Sequence, residues 1–139
     1  MQISGETRGG LNALIAEGEP CFRTRLASTV RSMGLNTFET GCGSEVVEIF
    51  SNVEIHALVL DAELPDFGGL EAVRIIRTFS HVPPFLLLAR EVTRSLRAQA
   101  MESQAVSILR SPVDLALFSE ILETVLAQRY GDWAERGTD

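Results

Sequence analysis

The chain contains no lysine, so each of its 12 basic side chains, in 139 residues, is an arginine. Aspartate and glutamate number 19 together, which gives a formal net charge of −7. A surface that follows the phosphates of a nucleic acid needs clustered positive charge. The composition therefore argues against direct nucleic-acid binding by this chain.

Cysteines and long hydrophobic runs are also scarce. Cys21 and Cys42 are the only cysteines, which is too few for a disulfide framework, and their spacing is not that of metal ligands. No apolar stretch approaches the length of a membrane span, and residues 1–10 are polar and glycine-rich rather than signal-like. These absences predict reduced thiols, no membrane segment and a cytoplasmic location.

Short apolar runs alternate with helical patterns along most of the chain. Runs bounded by turn residues predict strands at 11–16, 36–40, 55–60, 85–89 and 105–109. Apolar residues at helical spacing predict helices that begin at Pro20, Gly43, Gly69, Thr93 and Pro112. Five such alternations predict an α/β domain, a parallel sheet with helices on both faces.

The ends of the chain differ in composition from this alternating region. The domain is expected over 11–129, after a flexible leader at 1–10 and before a polar tail at 130–139. Within the domain, Ser44 is the expected cap of the second helix. The inward-facing stripe of the last helix places Phe118 and Leu122 in the core rather than at an interface.

The stretch around Asp61 is the most informative part of the chain. The apolar run that precedes it ends in this acid, and Pro65 and a glycine pair then mark a turn before a helical pattern. A strand that delivers one carboxylate to its carboxyl end, followed by a loop and a helix, is how α/β sheets present reactive groups. Asp61 is therefore the candidate reactive group, and the alternative is an acid that only caps a turn.

These residues resemble a response-regulator receiver domain, the flavodoxin-like module of two-component signalling, over roughly residues 11–128. Residues 64–71 are similar to the family's loop after the third strand, and Ser111-Pro112 falls where a Lys-Pro pair is usual. The resemblance implies a flavodoxin-like (βα)5 fold, with a central five-stranded parallel sheet in the order 2-1-3-4-5. It also implies an aspartate that takes a phosphoryl group from a histidine kinase beside a Mg²⁺ ion.

Position by position, the resemblance makes Asp61 the phosphoacceptor and Glu17 the first acid of the family's pair on the first strand. Gly18 stands where the second, metal-contacting acid belongs. Ala89 replaces the Ser or Thr that closes the fourth strand, and Ser111 replaces the Lys that closes the fifth. The positions that contact the phosphoryl group are therefore degenerate.

The remaining candidates follow from these losses. A reduced Mg²⁺ site would use Glu17, Asp61 and the backbone carbonyl of Glu63, with Glu19 as a weaker helper. Because Mg²⁺ demands near-octahedral oxygen ligation, the missing acid argues against tight binding. Arg90, just past the fourth strand, is the candidate replacement for the missing lysine.

The readout of phosphorylation is also weakened, because Ile108 replaces the aromatic residue that reorients in active receivers. The favoured interpretation is an atypical receiver, not an enzyme, that acts as a protein-interaction or dimerisation module with impaired or absent aspartyl phosphorylation. The implied partners are a histidine kinase, an output domain or a second copy, with a homodimer through the fourth helix, fifth strand and fifth helix. Two alternatives stay open. One is a working phosphoacceptor at Asp61 with a non-standard Mg²⁺ and phosphoryl site, and the other is a small flavodoxin-like enzyme or nucleotide binder.

Overall fold

The computed structural model describes residues 10–131 and contains five strands that alternate with five helices. The strands are β1 (Asn12–Ala16), β2 (Asn36–Thr40), β3 (Ala57–Asp61), β4 (Phe85–Ala89) and β5 (Ser107–Arg110). The helices are α1 (Pro20–Ser32), α2 (Gly43–Asn52), α3 (Gly69–Arg77), α4 (Arg94–Glu102) and α5 (Leu115–Tyr130). All neighbouring strands are parallel, in the order β2-β1-β3-β4-β5. The predicted α/β flavodoxin-like fold and its strand order are confirmed.

Two hydrophobic layers cover the sheet, one on each face. Successive residues of a strand point to opposite faces, so Ile15 packs with the side that carries α1 and α5, whereas Leu14 packs with the side that carries α2 and α3. The strands β1, β3 and β4 are buried along their whole length, as expected for parallel strands covered on both faces. Phe118 and Leu122 are 0% and 1% exposed, which confirms their prediction as core residues.

Several predicted boundaries were wrong by one or two residues, each for a local reason. The third strand runs to Asp61 rather than ending before it, because Asp61 still pairs in register with Leu88 of β4. The fifth strand begins at Ser107 rather than at Ala105, since the Ala105 N–H donates back to the Ala100 carbonyl in the turn that ends α4. Thr93 is the cap of α4 and not its first residue.

The start of the last helix was also predicted wrongly. Pro112 had the sequence features of a first-turn proline, but α5 begins at Leu115. The Asp114 side chain accepts hydrogen bonds from the N–H groups of Ala116 and Leu117 and so satisfies the first turn. Tyr130, which the sequence placed in the tail, is the last residue of α5. The remainder of the leader (1–9) and of the tail (132–139) lies outside the described residues.

Candidate functional site

The candidate site residues lie at one edge of the sheet. Glu17 follows β1, Asp61 ends β3, Arg90 follows β4 and Ser111 follows β5. Because the strands are parallel, their carboxyl ends meet at this edge, where open α/β sheets bind their ligands. The structure therefore brings the sequence-predicted residues to the same edge of the sheet, where folds of this type have their crevice.

Asp61 is held in place by backbone groups from two loops. Its Oδ2 accepts a hydrogen bond from the Gly18 N–H at 3.1 Å, and its Oδ1 accepts one from the Glu63 N–H at 2.9 Å. The residue is only 8% exposed. The orientation of this carboxylate is thus set by the chain itself, as a reactive group requires.

Gly18 leaves space beside Asp61. A Cβ added at Gly18 would lie 3.4 Å from Asp61 Oδ2 and 3.7 Å from the Glu63 carbonyl oxygen, which are ordinary contact distances. Asp61 Oδ2 and the Glu63 carbonyl oxygen, two of the predicted metal ligands, therefore both lie next to the point where a side chain at position 18 would begin. The place of the family's second acid is sterically available, but glycine supplies no carboxylate there.

Glu17 is almost completely buried, with 3% of its surface exposed. Its Oε2 accepts a hydrogen bond from the Glu19 N–H at 3.0 Å, whereas its Oε1 is buried without a hydrogen-bond partner. Burial raises the pKa of the Glu17 carboxyl, and the nearby Asp61 charge raises it further, while the Glu19 N–H and the Arg90 charge act in the opposite direction. Glu17 and Asp61 thus form a pair of facing acids with an unmet acceptor.

Glu19 has a structural task at this edge. Its carboxylate accepts hydrogen bonds from the N–H groups of Phe22 at 2.7 Å and Cys21 at 3.2 Å, and so caps the first turn of α1. Its role as a helper ligand stays a prediction. The proline that follows it in the sequence signalled the start of the helix but not the identity of the cap.

The donor set fits Mg²⁺ only in part. Glu17, Asp61 and the Glu63 carbonyl supply oxygen, but a near-octahedral ion would need water for its other ligands. Within residues 10–131, no group of three or more His, Cys, Asp or Glu side chains is arranged to hold a metal ion. When bound, Mg²⁺ would offset the negative charge of this acid pair and of an incoming phosphoryl group.

Arg90 is a cation whose charge acts on the acids of the site. Its Nη1 is 3.8 Å from Glu63 Oε1, and its charge acts on the Glu17 carboxyl. The Arg90 side chain is 69% exposed and its Glu63 partner is 60% exposed, so this contact is screened by solvent and weak. Arg90 is therefore positioned at the crevice without being fixed in it.

The predicted phosphoryl-contact positions after β4 and β5 carry few groups that could bind a phosphoryl group. Ala89 is completely buried and carries no hydrogen-bonding side chain. Ser111 lies directly beside it, since the Ser111 N–H donates to the Ala89 carbonyl at 2.8 Å. Ser111 supplies one hydroxyl and no charge, and Ile108 is half-buried against the same layer as α3.

A capping contact that the sequence analysis missed connects the β3–α3 loop to α2. Asp66 accepts hydrogen bonds from the N–H groups of Gly43 at 2.7 Å and Ser44 at 2.9 Å. These bonds hold the pKa of the Asp66 carboxyl below its usual range. The prediction of Ser44 as the cap was wrong, because the capping carboxylate is 22 residues away in sequence and no local pattern reports it.

Three glycines of this region are required by close packing. An added Cβ would lie 2.0 Å from the Ala62 carbonyl oxygen at Gly68, 2.2 Å from the Phe67 carbonyl oxygen at Gly43, and 2.6 Å from the Leu60 Cβ at Gly69. Such distances leave no room for a side chain. The loop after Asp61 is therefore locked between β3 and α2.

The chain matches known proteins in both sequence and fold. A family model described as the response regulator receiver domain matches residues 13–123, so the chain belongs to this family. It is 28% identical over 127 residues to the response regulator protein PilR of Pseudomonas aeruginosa, an alignment that covers 91% of this chain and 28% of PilR. It is 27% identical over 122 residues to the response regulator RR06 of Streptococcus pneumoniae, with 86% and 55% covered.

The fold agrees with that of solved receiver domains. The non-phosphorylated HemR receiver domain from Leptospira biflexa superposes with a TM-score of 0.78 at 22% identity, and covers 84% of this chain and 94% of that one. The chain spans 28% and 55% of the two curated relatives above, so it corresponds to a part of each. In residues 10–131, no helix is long and apolar enough to cross a membrane. The family match is what makes the chain a receiver domain of the response-regulator type.

Proposed function

We propose that this chain is an atypical receiver domain that works by protein interaction, with impaired or absent aspartyl phosphorylation at Asp61. The proposal includes the absence of enzymatic activity of its own and a location in the cytoplasm. Its partners would be a histidine kinase, an output domain or a second copy of the chain. The crevice at the carboxyl edge then keeps the arrangement of the family's site but lacks some of the groups that phosphoryl transfer needs.

The observation that carries this proposal is the glycine at position 18. Gly18 has room for an acid beside Asp61 Oδ2 and the Glu63 carbonyl, yet contributes only an N–H group. Phosphoryl transfer depends on positioning and on cations that offset the charge of the transferred group. This site has one fewer acid to hold Mg²⁺, and it has Ser111 in place of a lysine. It therefore supplies less positioning of the phosphoryl group and less positive charge to offset it.

A surface formed by α4, β5 and α5 supports the interaction role. Met101 of α4 is 74% exposed, Val106 beside β5 is 47% exposed and Leu117 of α5 is 46% exposed. In a symmetric pair, the same patch meets itself. The basic face of α4, with Arg94 and Arg97, and the acidic Glu120 and Glu123 of α5 would then provide opposite charges to each other.

A second candidate function is phosphorylation of Asp61 at a non-standard site. The observation in its favour is Arg90, whose charge acts on Glu17 and whose guanidinium lies 3.8 Å from Glu63 Oε1. A movement of this exposed side chain toward Asp61 would supply the missing cation. No contact within the crevice favours the third alternative, a flavodoxin-like enzyme or nucleotide binder at the same edge.

The decisive experiment is treatment of the chain with acetyl phosphate and Mg²⁺, read by intact mass. We expect no added phosphoryl group on the wild type and none on Asp61→Asn. A phosphoryl adduct on the wild type that is absent from Asp61→Asn would reject the proposal in favour of the second candidate. In that case Arg90→Ala should abolish the adduct, whereas Arg74→Ala, which removes an arginine paired with Glu71 on α3, should leave it unchanged.

The dimerisation part of the proposal needs a separate measurement. Sedimentation equilibrium of the wild type should show concentration-dependent dimers that acetyl phosphate does not change. Met101→Glu should abolish them, because a charge would enter the apolar part of this surface. Ser51→Glu is the control, since Ser51 is an exposed residue of α2, away from the surface formed by α4, β5 and α5. A monomer at all concentrations would contradict a self-association role and leave a kinase or an output domain as the partner.

A further inference from the structure

A basic hollow lies at the amino-terminal edge of the sheet, opposite the candidate site. It is formed where α3 and α5 end and where the chain enters β4 and β5. Two adjoining parts, of about 620 Å³ and about 340 Å³, share Arg77, Val82, Gln104 and Arg129 in their walls. This size is in the range of small-molecule sites.

The charge of this hollow is opposite to that of the chain as a whole. Arg77 and Arg129 line both parts and His81 lines the larger one, while no Asp or Glu lines either. The chain as a whole carries a formal charge of −7. A concave site with charges of one sign raises the local concentration of ligands of the other sign.

Each of the two arginines has a contact with another residue of the protein. Arg77 Nη2 donates to the Ser103 carbonyl at 3.0 Å, which uses one of the five N–H groups of its guanidinium. The Arg129 guanidinium carbon lies 5.8 Å from the centre of the Tyr130 ring, and the Tyr130 hydroxyl donates to the His56 carbonyl at 2.8 Å. These contacts favour a defined position of the two guanidinium groups at the hollow.

Gln104 adds a second, independent feature. Its φ is 68°, which is the left-handed region that glycine normally occupies after a helix, and it is the only non-glycine residue with positive φ among residues 10–131. Gln104 belongs to the wall shared by both parts of the hollow. The residue with this strained backbone thus lines the same hollow as the two arginines, and it carries a neutral hydrogen-bonding side chain.

We propose that this hollow binds a small organic phosphate, with the phosphate group between Arg77 and Arg129. The planar guanidinium fork matches the phosphate oxygens. Gln104 hydrogen-bonds the ligand, and Val82 and Val106 contact its non-phosphate part. This site is distinct from the Asp61 crevice, and binding here requires no phosphoryl transfer.

The test is an amide-resolved NMR titration of the intact chain at constant ionic strength, in an Asp61→Asn background that disables the opposite edge. Inorganic phosphate and AMP are the two probes. Both should shift the amides of Val82, Gln104 and Val106 saturably, and AMP should bind at least about threefold more tightly because its base adds apolar contact. Equal affinities for the two probes would identify a site for the bare anion only and would overturn the organic-phosphate assignment.

Matched variants separate the site from general electrostatics. Arg77→Gln and Arg129→Gln should each weaken AMP binding by about tenfold. Arg74→Gln removes the same charge from the same helix as Arg77, at a residue paired with Glu71 at 3.0 Å, and should change the affinity by less than about twofold. The absence of saturable shifts, or equal weakening by Arg74→Gln, would overturn the proposal.

A further variant distinguishes ligand binding from a structural role of the hollow. Gln104→Gly relieves the left-handed strain, so it should raise Tm, yet it removes a ligand contact and should weaken AMP binding. A change of stability and affinity in opposite directions cannot result from partial unfolding. Unchanged AMP affinity in Gln104→Gly would overturn the proposal, which makes Gln104 a contact of the ligand.

Discussion

The two halves of the candidate site differ in how tightly they are packed. Around Asp61, β3 is buried along its whole length, and Gly68 and Gly69 leave no room for a Cβ. On the other side, no residue of β5 is fully buried, and Ala100 is the one buried residue of α4. The half around Asp61, called the acceptor half below, is closely packed. The half formed by β5 and α4, which would report phosphorylation, is less buried.

This difference separates the residues that pack the predicted site from those predicted to contact a phosphoryl group. The acceptor half keeps its shape because neighbouring backbone and side chains fill the space around Asp61, and any change there affects the fold. Ala89, at the end of the buried strand β4, and Ser111, after β5, stand where the family resemblance predicts hydroxyl or charged contacts to a phosphoryl group. Packing and phosphate recognition are thus carried by different residues, and they can be tested separately.

The largest effect is expected from removing buried contacts in the two halves. Leu58→Ala in β3 should lower the free energy of unfolding by about 3 kcal/mol, because Leu58 is 0% exposed and its removal leaves a cavity. Ile108→Ala in β5 should cost about 1 kcal/mol, since Ile108 is only partly buried. Urea denaturation measures both. Equal losses would contradict the contrast between the halves.

The next effect comes from the glycines of the acceptor half. Gly68→Ala should lower the free energy of unfolding by about 2 kcal/mol, because its Cβ would lie 2.0 Å from the Ala62 carbonyl oxygen. Gly18→Ala is the control, with its nearest contact at 3.4 Å, and should change stability by less than about 0.5 kcal/mol. The same urea experiment applies. A neutral Gly68→Ala would show that the loop relaxes and is not locked.

Restoration of the missing acid tests the chemical half of the comparison. Gly18→Asp should bind Mg²⁺ about tenfold more tightly than the wild type, because a third carboxylate joins Glu17 and Asp61 beside the Glu63 carbonyl. Isothermal titration calorimetry measures this change. Gly18→Asn, which has the same shape without the charge, should give a much smaller gain. An unchanged affinity in Gly18→Asp would mean that the acceptor half is not organised for the ion.

The smallest effect concerns the buried Glu17. Its raised pKa means that the folded chain binds the Glu17 proton more tightly than the unfolded chain does. The stability that this proton contributes is therefore present at low pH. It is lost as the pH rises from about 4.5, the ordinary pKa, through the raised pKa of the folded state. Glu17→Gln should therefore stabilise the chain at pH 7, by about 1 kcal/mol, because its amide can donate to Asp61.

Thermal unfolding at several pH values tests this sign. The stability gained by Glu17→Gln should shrink below pH 4, where the protonated Glu17 is neutral like the glutamine that replaces it. Asp66 contributes in the opposite direction, since its lowered pKa gives stability that is lost as pH falls below its usual range near 3.8. A loss of stability in Glu17→Gln at pH 7 would show that the Glu17 charge is satisfied.

Sequence patterns were sufficient for the sheet, the helices and the acceptor candidate. The alternation of apolar runs and helical stripes predicted all five strands, and the acid after Leu60 was correctly placed at a strand end. The start of α5 was predicted wrongly, because Asp114 rather than the turn at Pro112 caps its first turn. The start of α2 at Gly43 was predicted correctly, but its cap is Asp66 and not Ser44. The capping propensity of a residue is local, but the cap that is used depends on which loop lies nearby.

The order of elements, the position of Asp61 at the end of a buried strand and the loss of lysine follow from the sequence alone, because periodicity and composition are local properties of the chain. The tertiary structure decided which distant groups meet. Three features depend on the order of strands in the sheet. They are the approach of Gly18 to Asp61, the burial of Glu17 Oε1 without a hydrogen-bond partner, and the hollow that Arg77 and Arg129 both line. That order brings together residues far apart in sequence, and only the packing of the whole domain fixes the distances between them.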